Sequence, residues 1–168
     1  MHNLKICIVG EAGVGKTELL RTLTTEVRKE EYGQNIATYS IEIKGEKYNL
    51  TLWDLPAQQR FTEIRKSYYV GSNVIFVVFD LTRRSSFIDV HKWIKEVAEA
   101  LKFIPNIIFI GSKKDLEAYH EISEEEVASI ANKFNIEYYF LSLKSKTEIE
   151  QVLEKIISNF EKDKNEST

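Results

Sequence analysis

Gly10-Glu11-Ala12-Gly13-Val14-Gly15-Lys16-Thr17 lies between an apolar, β-branched run, Leu4 to Val9, and a stretch of helical composition, Thr17 to Val27. It fits the pattern G-x-x-x-x-G-K-[ST], and each part of that pattern has a physical reason. Glycines let successive backbone N–H groups turn inward and form a nest for an anion. A helix starting near Lys16 adds the positive end of its dipole. Lys16 supplies a point charge for outer phosphates, and Thr17 a hydroxyl for Mg²⁺. The candidate phosphate-binding residues here are Gly10, Ala12, Gly13, Val14, Gly15, Lys16 and Thr17. Taken alone, this loop admits ATPases, GTPases and small-molecule kinases.

Working outward, strand and helix patterns alternate. Tyr39 to Ile43 and Tyr48 to Trp53 alternate apolar and polar residues, with Lys44-Gly45 between them as a hairpin turn. Val74–Phe79 and Ile107–Ile110 are continuously apolar, the pattern of strands covered on both faces, and Ile136 to Leu141 is a shorter candidate. Ser86 and Asp89 are placed to cap a helix whose apolar face is Val90, Trp93, Ile94, Val97 and Leu101. Ser123-Glu124-Glu125-Glu126 has capping-box form. A last helix carries Ile149, Val152, Leu153, Ile156, Ile157 and Phe160 on one stripe, and residues 161–168 are expected to be a polar, disordered tail. The alternation predicts one α/β domain over residues 1–160, built on a mostly parallel sheet. Ligands bind such sheets beyond the carboxyl ends of the strands. The loops after Val9, Trp53, Phe79, Ile110 and Leu141 are therefore where chemistry is sought.

Composition narrows the classes. With 168 residues, two domains would each be small, and the net charge of −3 offers no global field for nucleic acid or anionic lipid. A single cysteine, Cys7, excludes an intramolecular disulfide, and His2, His91 and His120 are too scattered for a zinc site. A reducing, cytoplasmic home is expected. The longest apolar run is far too short for a membrane span. His2 at the second position and the absence of a cysteine near Thr168 lead us to expect no covalent lipid anchor.

The second strand of the hairpin ends Leu52-Trp53-Asp54-Leu55-Pro56-Ala57-Gln58-Gln59-Arg60-Phe61. Here the chain resembles the Ras superfamily of small GTPases, and its Rab and Rho branches most, where the segment reads W-D-T-A-G-Q-E-R-F. Phe79-Asp80-Leu81-Thr82 is similar to the family's Y-D-[IV]-T, Gly111-Ser112-Lys113-Lys114-Asp115-Leu116 to its G-N-K-x-D-L, and Leu141-Ser142-Leu143-Lys144 stands where the family has S-A-K. The resemblance spans about residues 4 to 160. It implies a Ras-like P-loop NTPase fold: a three-layer α/β sandwich with a six-stranded, mostly parallel sheet, one antiparallel edge strand and about five helices. It implies GTP or GDP as ligand with Mg²⁺, slow GTP hydrolysis, and protein effectors and regulators that read two switch loops.

The resemblance also carries roles residue by residue. Asp115 would accept from the guanine N1–H and exocyclic amine, a pairing adenine cannot reproduce. The stem of Lys113 would pack over the base, with Ser112 beside it, and Ser142, Leu143 and Lys144 would close on its oxygen edge. Asp54 would reach Mg²⁺ through water, joining Thr17. Gln58 would position the attacking water, and the N–H of Ala57 would meet the γ-phosphate.

Four departures stand out. The D-x-x-G glycine is Ala57, preceded by Pro56; the base-loop Asn is Ser112; Ala12 replaces a glycine of Ras itself; and the first switch lacks its usual threonine. Counting forward from Thr17 lands on Asn35, while Thr38 is the nearest threonine. Thr38 is the expected metal ligand, with Asn35 as the alternative. Arg28, nearby, reads as a solvated surface residue, and no transition-state arginine is evident. Tyr32, Phe61, Tyr68 and Tyr69 are expected near the switches. Two other functions stay open: a GTP-holding scaffold without hydrolysis, and an adenine-using phosphotransferase.

Overall fold

The computed structural model describes residues 2–103 and 105–166. Among these residues, seven strands form one sheet: β1 (His2–Val9), β2 (Arg28–Lys29), β3 (Asn35–Ile43), β4 (Glu46–Asp54), β5 (Val74–Asp80), β6 (Asn106–Ser112) and β7 (Glu137–Phe140), in the order β2-β3-β4-β1-β5-β6-β7. β1 pairs parallel with both β4 and β5, and β5–β6 and β6–β7 are parallel too. β3 runs antiparallel to β4 and β2 antiparallel to β3. This corrects the expected six strands and single antiparallel edge: a two-residue strand, too short to show in the hydrophobic pattern, covers β3, so the antiparallel strand is not the edge.

The hairpin forms where it was expected. Lys44 and Gly45 both have positive φ, 51° and 80°, the geometry of a two-residue turn that matches strand twist. β5 is buried along its whole length, as its continuous apolar run required.

Helices cover both faces. α1 (Lys16–Leu23) and α6 (Lys146–Glu166) pack Leu19, Leu20, Leu23, Ile149, Leu153, Ile156 and Ile157 onto one side. On the other lie α2 (Thr62–Tyr69), the consecutive α3 (Arg84–Ile88) and α4 (Val90–Ala100), and α5 (Glu124–Phe134). Their core includes Tyr69, Phe87, Val90, Trp93, Val97, Val127 and Ala131. α5 begins with the expected capping box of Ser123 and Glu126 and ends at Asn135 in the left-handed region. Ser86 is not a cap. Its hydroxyl accepts from the Asp80 N–H and lies 2.7 Å from the Arg83 carbonyl, fixing the turn after β5. Residues 161–166, expected to be disordered, continue α6, where Phe160 still packs on the core; 167–168 lie outside the described residues.

β1 is the switch point. The chain leaves it by way of α1 towards β4 on one side, while β5 flanks it on the other. The crevice beyond its carboxyl end is where a doubly wound sheet holds a ligand, and Gly10–Thr17 follows directly from that end.

Candidate functional site

The loop from Gly10 to Gly15 curls back over the start of α1. Gly10, Gly13 and Gly15 have φ of 149°, 81° and 114°, values that side chains resist. At Gly10 space is limiting as well, since a Cβ would stand 2.2 Å from the Val78 carbonyl oxygen of β5. Lys16 is buried, and its Nζ donates to Gly10 O at 2.8 Å and Glu11 O at 3.1 Å, so the ammonium is held inside the loop.

At the end of β4, Thr17 Oγ1 donates to Asp54 Oδ2 at 2.5 Å. Asn35 Nδ2 donates to the same carboxylate oxygen at 2.8 Å and lies 3.4 Å from Thr17 Oγ1. The pairing of Asn35 opposite Asp54 in the β3–β4 ladder brings this about. Thr38, the expected ligand, lies outside this cluster, and Asn35, the alternative, lies within it. Thr38 pairs with Thr51, exposed, three residues along β3. That is roughly 10 Å away, and the odd spacing puts it on the opposite face. The Asp54 carboxylate and the Thr17 hydroxyl are oxygen donors that fit a hard cation such as Mg²⁺, which characteristically takes few protein ligands beside phosphates, whereas Asn35 presents its amide Nδ2 to them.

A cavity of about 310 Å³ opens beside the phosphate loop. Val14, Gly15 and Glu18 form one wall, Ser112, Lys113, Asp115 and Leu116 a second, and Ser142, Leu143 and Lys144 a third. Three loops far apart in sequence thus meet as the motif reading expected. Ser112 is buried, and its hydroxyl lies 2.7 Å from the Val14 carbonyl and 3.1 Å from that of Phe79. It ties the base loop to the phosphate loop. Leu143 packs so closely on Gly15 that a Cβ there would come within 2.7 Å of its Cδ1. Thr22 Oγ1 fastens the Leu143 carbonyl at 2.6 Å.

A model of the Ras family matches residues 5–162. The chain belongs to the Ras family. Rab-11C of Dictyostelium discoideum is 31% identical to it over 159 residues, covering 92% of this chain and 71% of that protein. Rab-13 of Canis lupus familiaris is 29% identical over 154 residues, covering 89% and 76%, and RGP2 of rice 29% over 158, covering 92% and 73%. This Ras-family protein is therefore Rab-like. No helix among its described residues is long and apolar enough to cross a membrane.

Several working contacts of this Ras-family protein were not visible in its motifs. Lys113, at φ 63°, pairs its ammonium with Asp80 Oδ2 at 2.7 Å, which sets the direction of its stem. Burial pushes the Asp80 carboxyl up, but hydrogen bonds from Lys113 and Thr82 outweigh it and hold the pKa below the usual value. Gln34, buried, donates through Nε2 to Tyr68 Oη at 2.7 Å and so fastens the loop before β3 to α2.

Arg65, fully buried, donates to Pro56 O and Gln58 O at 2.9 and 2.7 Å, and pairs with Glu96 of α4 at 2.7 Å. The Gln58 side chain itself is exposed, and Ala57 packs its methyl against the core on that face. Tyr32 is exposed and Phe61 half-buried; Tyr69 is wholly buried and hydrogen-bonded to Glu96. Arg28 sits exposed on β2, 3.7 Å from Glu30.

Burial lowers the Lys16 ammonium to about 8, with Asp54 pulling it back up and Arg65 and Arg83 adding to the fall. Phosphate oxygens beside Nζ favour the charged form, so a nucleotide bound there would raise that pKa again. The affinity due to this charge is complete below about pH 8 and falls as pH rises from there towards the bound-state value. Calorimetric titration with GDP in two buffers of different ionisation enthalpy will show proton uptake at pH 8.5 and almost none at pH 6.5. Equal, negligible uptake at both would contradict the burial of a charge at this position.

Proposed function

We infer that this protein is a GTP/GDP switch that binds guanine nucleotide with Mg²⁺ and hydrolyses GTP slowly. The observation that carries this reading is the continuous cavity of about 310 Å³ joining Asp115 and Lys113 to the phosphate loop at Val14 and Gly15. Asp115 stands exposed at its rim, free to accept two hydrogen bonds from guanine, a pairing that adenine lacks. Lys16 and the loop N–H groups would bind the phosphates, with Ala57 offering its N–H to the outermost one. Thr17 and a water-mediated Asp54 would hold Mg²⁺, joined by Asn35 once its amide turns to offer Oδ1 in place of Nδ2; the ion would supply charge neutralisation between the outer phosphates. Effectors and regulators would read Tyr32 and Phe61 beside the two switch loops.

The second reading, a GTP-holding scaffold, is favoured by the Arg65 clamp on the carbonyls of Pro56 and Gln58, which restrains the loop that must reorganise during hydrolysis. Single-turnover hydrolysis of preloaded GTP separates the two. Gln58→Leu is expected to slow it by about tenfold or more, because positioning of the attacking water is lost. Hydrolysis in neither protein assigns the scaffold role, whereas equal, measurable rates in both remove Gln58 from the positioning of the water and leave the switch reading in place. An adenine-using enzyme would instead hold ADP at least as tightly as GDP.

A further inference from the structure

Arg83 lies in the turn after β5, at the start of α3, yet its guanidinium reaches the phosphate loop. Nη2 donates to the Ala12 carbonyl at 2.7 Å, and Nη1 lies 3.6 Å from where a Gly13 Cβ would stand. The turn that carries it is rigid: Thr82 N–H donates to Asp80 Oδ1 at 2.8 Å, and the Ser86 hydroxyl holds the backbone on either side. The Asp80 carboxylate is already engaged by Lys113 and Thr82. The acidic group that faces Arg83 is Glu11, at 3.8 Å, partly exposed. Arg83 Nε is buried without a hydrogen-bond partner among the described residues. Of five N–H donors, then, one is used well, and the fork retains capacity for an anion. Its field already reaches the Lys16 ammonium, which it helps to lower.

The cavity for the base adjoins Val14 and Gly15, and it does not include Gly10 to Gly13. A nucleotide seated there extends its phosphates away from Gly15, towards the part of the loop that Arg83 flanks. We propose that Arg83 is a second phosphate-binding cation, acting with Lys16 on the outermost phosphate of a nucleoside triphosphate and favouring the triphosphate over the diphosphate. The proposal rests on the guanine-nucleotide reading. It differs from a loop brace in one respect: a brace would stabilise both nucleotides equally, whereas a cation at the far end acts on the charge that only the triphosphate carries there.

Release of fluorescent GTP and GDP from the full chain, followed by stopped flow, tests this in the wild type, Arg83→Ala, Arg83→Lys and Arg84→Ala. Arg83→Ala is expected to speed GTP release about tenfold, equivalent to about 1.4 kcal/mol, and GDP release no more than about twofold. Arg83→Lys recovers part of the loss, since it keeps the charge without the planar fork. Arg84, paired with Glu126 at 2.7 Å on the outer surface, is the neutral control. Equal acceleration for both nucleotides, or none for either, overturns the proposal while leaving the guanine-nucleotide reading intact. A wild type that retains neither nucleotide removes both.

Discussion

Glu96→Ala is expected to lower the midpoint of thermal unfolding by roughly 10 °C, a loss of about 3–5 kcal/mol in a domain of this size. The reason is the company Glu96 keeps. Its two carboxylate oxygens take Arg65 Nη2 at 2.7 Å and Arg65 Nε at 2.9 Å, and the Tyr69 hydroxyl donates to one of them. Arg65 has no exposed surface and lies against the face of Trp93, 4.9 Å from the ring centroid. Removing the acid leaves a guanidinium in the core with no counter-charge, and an arginine does not shed its proton to escape.

The double variant Arg65→Met/Glu96→Leu is expected to regain most of the lost stability, because apolar side chains of similar volume need no partner. It will not regain the tethers to Pro56 O and Gln58 O. Hydrogen exchange in residues 56–61 should therefore stay fast in the double variant even as the melting temperature recovers. Scanning calorimetry reads the first effect and exchange mass spectrometry the second. A loss below about 1 kcal/mol for Glu96→Ala would mean that water reaches Arg65 and that the pair is not the anchor of this loop.

Lys16→Met is expected to weaken GDP and GTP binding at least about a hundredfold, or about 2.7 kcal/mol. Methionine keeps an unbranched stem in the same channel, so most of what is lost is charge. Nζ now sits 2.8 and 3.1 Å from the carbonyls of Gly10 and Glu11, inside the curve of the loop. A phosphate chain entering that curve meets a positive centre already desolvated, where an ionic hydrogen bond is strong. The decline in affinity above pH 8 should vanish in the same variant, because the group that titrates is gone. Titration calorimetry at pH 7 and 8.5 checks both. Affinity within about threefold of wild type would show that backbone N–H groups alone bind the phosphates.

Much of this molecule follows from local rules. The phosphate loop is legible because its requirements are contiguous: left-handed backbone at Gly13 and Gly15, a lysine and a hydroxyl at the start of a helix. The buried strands β5 and β6 show in unbroken apolar runs, the hairpin in Lys44-Gly45, and the start of α5 in Ser123 and Glu126, all features set within a few residues.

What the tertiary structure decided are contacts between segments far apart in the chain. Asn35, not Thr38, joins Thr17 and Asp54 because the β3–β4 register sets Asn35 opposite Asp54; the count from Thr17 lands on Asn35, but residue type alone favours the threonine three positions on. Ser112 braces the Val14 carbonyl, Arg65 clamps Pro56 and Gln58 against Glu96, and Arg83 crosses to Ala12 from the turn after β5. Each of these depends on which side chain packing brings within 3 Å of a distant carbonyl. A motif records residue types and spacings along the chain; the reach of an arginine across a sheet exists only once the strands are side by side.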